Sequence, residues 1–297
     1  MAVYSHSKLS TFEQCPYKYK LRYIDKIKPD IEKSIEAHLG TAVHDTLEWV
    51  YNSVKDENKI PTLDEVITYY SVKWQEEFSE EILIVKKEMS AKYYFNKGVQ
   101  FLLDYYSKHH PFKDGTIECE KRIMIELDEN TKLQGFIDRL VHNIETGKYE
   151  IHDYKTANAL PTQEKMDGDR QLALYSIAIK ELYGQDKDVI LIWHYLAHNQ
   201  KIISRRTNEQ LEELKEETKK LIRQIESTTE FPTNKTILCG WCEYKNQCPE
   251  YNSNVTYSTS INQTNLSDFP TVKKYLRDAP QGNPADNPER DSLDIWD

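Results

Sequence analysis

Asp138, Asp153 and Lys155 carry the first chemical signal in this chain. Asp138 stands in the run Leu133–Val141, and Asp153 and Lys155 stand in the run Tyr149–Thr156. The turn signal Glu145-Thr146-Gly147 between the runs predicts a β-hairpin. Side chains on a strand alternate, so Asp153 and Lys155 share a face, and paired strands let Asp138 meet them there. Two carboxylates converging beside an ammonium repel each other unless a cation lies between them. Hard divalent ions such as Mg2+ or Mn2+ take oxygen ligands and keep positions open for water and phosphate. The lysine can then orient a water or stabilise developing negative charge. That chemistry is phosphodiester hydrolysis. A solvated hairpin with weak surface ion pairs would hold the same residue types, and D-x-K alone does not decide between the two.

A second constellation is Cys239-Gly-Trp-Cys242 followed by Cys248. Three thiolates this close need a fourth ligand to complete a metal site. Cys15, at a Cys-Pro step among aromatic residues, is the candidate, whereas Cys119, within an apolar strand pattern, reads as a buried thiol. With Cys15 included, the site would be a structural clasp joining the two ends of the folded region. Closing so long a loop is worth roughly 4–5 kcal/mol in the chain-entropy picture. Composition leaves Zn2+ and an iron–sulfur cluster equally open, with unligated thiols as the plain alternative.

The elements that must position these groups come from the rest of the pattern. The chain has 297 residues, a net charge of -10 and a pI near 5.5, so any nucleic-acid contact requires a local basic surface. MAVYSHSKLSTF lacks the apolar core of a secretory leader and no apolar run approaches membrane-spanning length, so a cytoplasmic setting with no membrane contact is expected. Five cysteines in that setting argue for metal binding or free thiols over disulfides.

Ser7 is read as the cap of an N-terminal helix that Pro16 interrupts or restarts. Leu39-Gly40-Thr41-Ala42 opens a second helix through Tyr51, with His44 and Glu48 one turn apart. Residues 62–110 read as amphipathic helix whose aromatic residues belong to a core, with Lys86, Lys87, Lys92 and Lys97 available to a groove. A strand over Ile117–Leu127, a helix over Asp169–Tyr183 stopped by Gly184, and strands over Asp188–Ala197 and Lys201–Ser204 follow. Gln171 and Tyr175 share a face of that helix. Asn208 is read as the cap of a final helix. The expected fold class is α/β, a small mixed-sheet core with helices added before and after it.

The expected organisation is one domain over 1–251. It comprises an N-terminal helical segment (1–30), a helical region (31–112), an α/β catalytic core (113–207), and a helix with the cysteine loop (208–251). Residues 252–297 are read as a flexible acidic tail whose end, Leu293–Asp297, could be a docking peptide.

These stretches together resemble the RecB-type nucleases of the PD-(D/E)XK superfamily. The nearest likeness is to the iron–sulfur branch that includes AddB-type nuclease domains and CRISPR-adaptation nucleases. The resemblance is carried, in the family's order, by YSHSKLSTFEQCPYKYKLRYI, LGTAVHDTLE, GFIDRL, HDYKT, QLALY and the final cysteine trio. It implies a restriction-endonuclease-like core with a four-cysteine clasp. His44, Asp138, Asp153 and the Tyr154 carbonyl would hold Mg2+ or Mn2+, and Lys155 would position the water. Gln171 and Tyr175 would face the same cleft, and Glu120 resembles a less regular family glutamate. Cys15, Cys239, Cys242 and Cys248 would hold a [4Fe–4S] cluster, with Zn2+ as the alternative. The implied activity is that of a DNA exonuclease on single-stranded or end-containing DNA, in repair, recombination or CRISPR adaptation. Its tail could engage a protein partner. The competing expectation is a DNA-end-binding or assembly subunit of a larger nuclease–helicase complex.

Overall fold

The computed structural model describes residues 2–29, 31–79 and 81–251, so the expected tail lies outside the described residues. A short strand, β1 (Ala2–Ser5), leads into helix α1 (His6–Gln14). Ser5 caps that helix by accepting from the Lys8 N–H, so the expected cap Ser7 lies inside its first turn. Pro16 restarts the helix as α2 (Pro16–Tyr19), which runs on through a π turn (Lys20–Ile24). Cys15 occupies the extended join between α1 and α2.

Helices α3 (Ile35–Asp56), α4 (Leu63–Glu76) and α5 (Ala91–His109) follow. The helix expected over 62–110 is therefore two helices. Between them Ile82, Leu83, Ile84 and Val85 are consecutive apolar residues, a pattern with no helical period. Leu83 instead forms a bridge to Ser34, accepting from the Ile35 N–H and donating to the Lys33 carbonyl. Trp74, Tyr94, Phe101 and Tyr105 are buried, in agreement with a core role, whereas Tyr93 is exposed.

Strands β2 (Thr116–Asp128), β3 (Thr131–Asn143) and β4 (Lys148–Lys155) form an antiparallel unit. The short helix α6 (Gln163–Asp167) and helix α7 (Gln171–Tyr183) cross to strand β5 (Val189–Tyr195), which pairs with β4 in parallel. Gly184, at a φ of 125°, ends α7. Strand β6 (Gln200–Arg205) returns antiparallel through Asn199 in the left-handed conformation. Helix α8 (Asn208–Ser227) is capped by Thr207 with Gln210 answering in a capping box, so Asn208 is its first residue rather than its cap.

The six-stranded sheet is mixed, in the order β1-β3-β4-β5-β6, with β2 on the far edge of β3. One core packs α1, α7 and α8 on the sheet through Leu9, Leu133, Ile137, Ile151, Leu174 and Trp193. The other packs α3, α4 and α5 on the opposite face through Leu47, Tyr70, Trp74, Phe95 and Tyr154. Each fully buried aliphatic or aromatic side chain of this kind contributes about 1.5–3 kcal/mol.

The feature that positions the site is a gap in this sheet. β2 covers one edge of β3 along nearly its whole length. On the other edge β1 pairs with Thr131 to Gln134 and β4 pairs with Arg139 to Asn143. Residues 135–138 of β3 therefore face an opening between two strands that approach from opposite ends.

Candidate active site

Asp138 lies at the rim of that opening. Ile137 and Leu140 both point into the α7-side core although they are three positions apart, so strict alternation breaks between them. Glu120 lies across the β2–β3 ladder between the pairs Cys119–Arg139 and Lys121–Ile137, and its φ is 47°. That left-handed conformation is uncommon outside glycine, and its strain is local to the site. Where β4 parts from β3, the Asp138 side chain replaces the missing ladder acceptor, and its Oδ2 accepts from the Tyr154 N–H at 2.8 Å.

His44 reaches the same point from α3. Its Nδ1 lies 3.3 Å from Asp138 Oδ2, and its Nε2–H donates to the Tyr154 carbonyl at 2.7 Å. That donation assigns the Nε2–H tautomer from the bonding pattern. Lys155 lies on the other side of Tyr154. It forms an ion pair with Asp153 at 2.9 Å and donates to Gln171 Oε1 at 3.3 Å. Gln171 opens α7, and Tyr175, one turn later, lays its ring over the β3 backbone at Gly135.

Charge is concentrated here under partial desolvation. Burial, with Asp138's charge added, pushes the Glu120 carboxyl up to about 7. Burial also raises Asp138, and nearby Asp153 reinforces the shift while His44 opposes it. Burial works against the charge on Lys155, but Asp153's carboxylate overrides it and holds the ammonium above its ordinary range. The lysine stays protonated throughout the neutral range.

His44, Glu120 and Asp138 offer ligand atoms all within 4.8 Å of one another. One imidazole nitrogen with carboxylate oxygens suits Mg2+ or Mn2+, and a cation there would offset the burial and neighbouring negative charge that raise both carboxyls. The structure thus brings together His44, Asp138, Tyr154, Asp153, Lys155, Gln171 and Tyr175. It differs from the expected ligand set in one respect: Glu120 joins the tight group, while Asp153 is engaged by Lys155.

Arg139 is a residue that motif reading passed over. It is fully buried next to Asp138, beneath the Tyr51 ring at 3.9 Å. It donates from Nε to the Tyr154 hydroxyl at 2.8 Å and from another nitrogen to His152 Nδ1 at 2.8 Å, and it pairs with Asp114. It therefore braces Tyr154, whose backbone serves both Asp138 and His44. The available signal was a second charged residue directly after Asp138, ahead of the apolar Leu140-Val141 pair.

The cysteines are all free thiols. Cys15, Cys239, Cys242 and Cys248 line one cavity of about 590 Å3 between α2 and the segment after α8. Polar contacts stitch the two ends around it: Lys18 to Glu243 at 2.9 Å, Tyr17 OH to the Gln247 carbonyl at 3.3 Å, and Tyr244 OH to the Ile27 carbonyl at 3.2 Å. Among the described residues these cysteines do not draw in to mutual ligand distance, so a closed four-cysteine clasp is not shown. Cys119 stands apart and half-buried, and burial pushes its thiol up to about 12, which makes it unreactive.

Among the described residues no helix is long and apolar enough to cross a membrane. A curated relative, an ATP-dependent helicase/deoxyribonuclease subunit from Carboxydothermus hydrogenoformans, is 26% identical over 247 residues, 74% of this chain. The chain spans 22% of that relative's length. The crystal structure of a candidate exonuclease from Eubacterium rectale superposes with a TM-score of 0.51 at 13% identity, over 80% of this chain and 86% of that one, and so shares the fold. The PD-(D/E)XK nuclease superfamily profile matches residues 3–249, from β1 to just past the last cysteine. With a split mixed sheet whose opening gathers the aspartates, lysine and histidine of the expected motifs, the chain belongs to the PD-(D/E)XK nuclease superfamily.

Proposed function

We propose that this chain is a divalent-metal-dependent deoxyribonuclease, an exonuclease on single-stranded or end-containing DNA. The observation that carries the reading is the convergence of His44, Glu120 and Asp138 within 4.8 Å, beside the ion pair of Lys155 with the buried Asp153. When bound, Mg2+ or Mn2+ at His44, Glu120, Asp138 and the Tyr154 carbonyl supplies Lewis acidity to the scissile phosphate and to the attacking water. Lys155, kept protonated by Asp153, donates hydrogen bonds to the water or to a phosphoryl oxygen as negative charge develops. Gln171 fixes the Lys155 ammonium, and Tyr175 closes the α7 side of the opening. Arg139 holds the Tyr154 segment in register. Residues 1–251 act as one nuclease domain.

The shared cavity at Cys15, Cys239, Cys242 and Cys248 supports a cluster site. Four thiolates there fit a [4Fe–4S] group or Zn2+ once drawn inward. Its role is structural, because hydrolysis transfers no electrons.

The helicase/deoxyribonuclease relative favours a second reading, in which the chain works as one part of a larger DNA-processing assembly. Turnover separates the two. The purified protein alone, given Mn2+ and single-stranded DNA, releases nucleotides on the first reading. On the second it binds DNA in chelator and releases none until a partner is added.

A further inference from the structure

A second cavity, of about 280 Å3, lies directly beyond the catalytic strand, between the start of α3, α5 and residues 156–158. This is close to the roughly 300 Å3 lower bound of small-ligand sites. Glu36, Lys86, Tyr93, Lys97, Thr156 and Asn158 are among its walls. None of them belongs to the metal group. Thr156 follows Lys155 in the chain, and Glu36, Gly40 and His44 succeed one another at four-residue spacing along one face of α3. Eight residues of helix put Glu36 about 12 Å from His44. A Cβ on Gly40 would sit 3.4 Å from Thr156 Oγ1, so the helix and the post-strand segment press together between the two sites.

The informative group is the Glu36 carboxylate. Its Oε1 accepts from the Tyr94 hydroxyl at 3.0 Å. Its Oε2 is buried and, among the described residues, has no hydrogen-bond partner. Buried polar atoms are normally paired, so an unpaired acceptor on a residue of the cavity wall points to a donor from outside the chain. The surroundings indicate what carries that donor. Lys86 suits a phosphodiester backbone, Lys97 adds positive charge while donating to Asn158 Oδ1, and the part-exposed Tyr93, edge-on to Tyr94, lines the same wall.

We infer that this cavity binds one nucleobase of the substrate strand next to the cleavage point, and that Glu36 Oε2 accepts from an exocyclic amino group of that base. The inference rests on the nuclease reading and adds a preference to it. Cytosine presents an unobstructed N4 amino group to the carboxylate. Thymine carries a carbonyl at the same position, and its ring N–H is flanked by two carbonyl oxygens that the carboxylate repels. Cytosine is accepted, and thymine is disfavoured.

The test compares oligodeoxycytidylate and oligothymidylate of equal length, first as binding in chelator and then as cleavage with Mn2+. The wild-type protein binds and cleaves the cytosine strand about tenfold better, a difference of about 1.4 kcal/mol. Glu36→Ala abolishes that ratio, and Glu36→Gln, which can donate to the thymine carbonyl, shifts it toward thymine. Because the readout is a ratio within each variant, a general loss of stability does not imitate it. Equal treatment of both strands by an active wild type, or a ratio that survives Glu36→Ala, overturns the subsite alone. A wild type that neither binds nor cuts either strand overturns the nuclease reading and the subsite with it.

Discussion

The ring of Tyr175 occupies the space that any side chain at position 135 would need: a Cβ on Gly135 would lie 2.3 Å from Tyr175 Cε1. The glycine of the Asp138 strand and the tyrosine of α7 are thus one packing unit. Gly135→Ala forces the ring or the strand to move, with an overpacking cost of about 1–3 kcal/mol. Urea denaturation should show that loss, and Tyr175→Leu in the same background should recover most of it without recovering activity. An alanine variant as stable as the wild type contradicts the arrangement.

The metal-binding group makes a separate claim about which carboxylates are ligands. Calorimetric titration with Mn2+ should show His44→Ala and Glu120→Gln weakening binding by more than about tenfold, as loss of a ligand or its support does. Asp153→Asn should spare much of the affinity and still stop cleavage, because in the proposed mechanism Asp153, ion-paired with Lys155, acts through it. The reverse ranking would restore Asp153 to the ligand set and remove Glu120.

Much of this site was legible in the sequence because it follows local rules. The hairpin carrying Asp138, Asp153 and Lys155 has alternating runs and a turn signal, and Gln171 and Tyr175 lie one turn apart on a helix that Gly184 ends. What escaped depends on contacts between distant segments. β1 has four residues, and its register against Thr131 to Gln134 is set only in three dimensions. Glu120 joins the group for no local reason; at a left-handed φ opposite Asp138, it brings a ligand atom within 4.8 Å of those of His44 and Asp138. Arg139 and Glu36 draw their meaning from Tyr154 and Tyr94, neither of which is near them in a periodic pattern.

Stability should fall in mild acid. His38 is fully buried on α3, donating from Nε2 to the Trp74 carbonyl at 3.1 Å with its ring edge-on to Trp74. Burial, helped by Lys33, depresses it from 6.5 to about 4. The unfolded chain therefore takes up a proton before the folded one does. The contribution is fully present above pH 6.5 and is lost as pH falls from there to about 4, a total of roughly 3 kcal/mol for this residue. Urea midpoints across that window should decline, and His38→Asn should flatten the decline. A His38→Asn profile that declines as steeply as the wild type's contradicts the assignment.

The cysteine cavity predicts a linked loss of metal and stability. If the proposed cluster site is correct, anaerobically purified wild type carries metal there, and Cys15→Ala should remove it and lower stability by up to roughly 4–5 kcal/mol, the loop-closure value. Metal analysis with an absorption spectrum and thermal unfolding together check this. A soluble, fully active Cys15→Ala protein that lacks metal would sink the structural role.

The most direct test of the central claim is cleavage of end-labelled single-stranded DNA with Mn2+ by the wild type and by Lys155→Ala. On the proposed reading Lys155 donates to developing charge and is not a ligand, so its loss should leave DNA binding in chelator and the circular dichroism spectrum intact. Cleavage should fall by roughly 100- to 1,000-fold, the range seen when one such donor is removed. Degradation by both proteins at similar rates, or by neither while both bind DNA, would contradict a nuclease centred on this lysine.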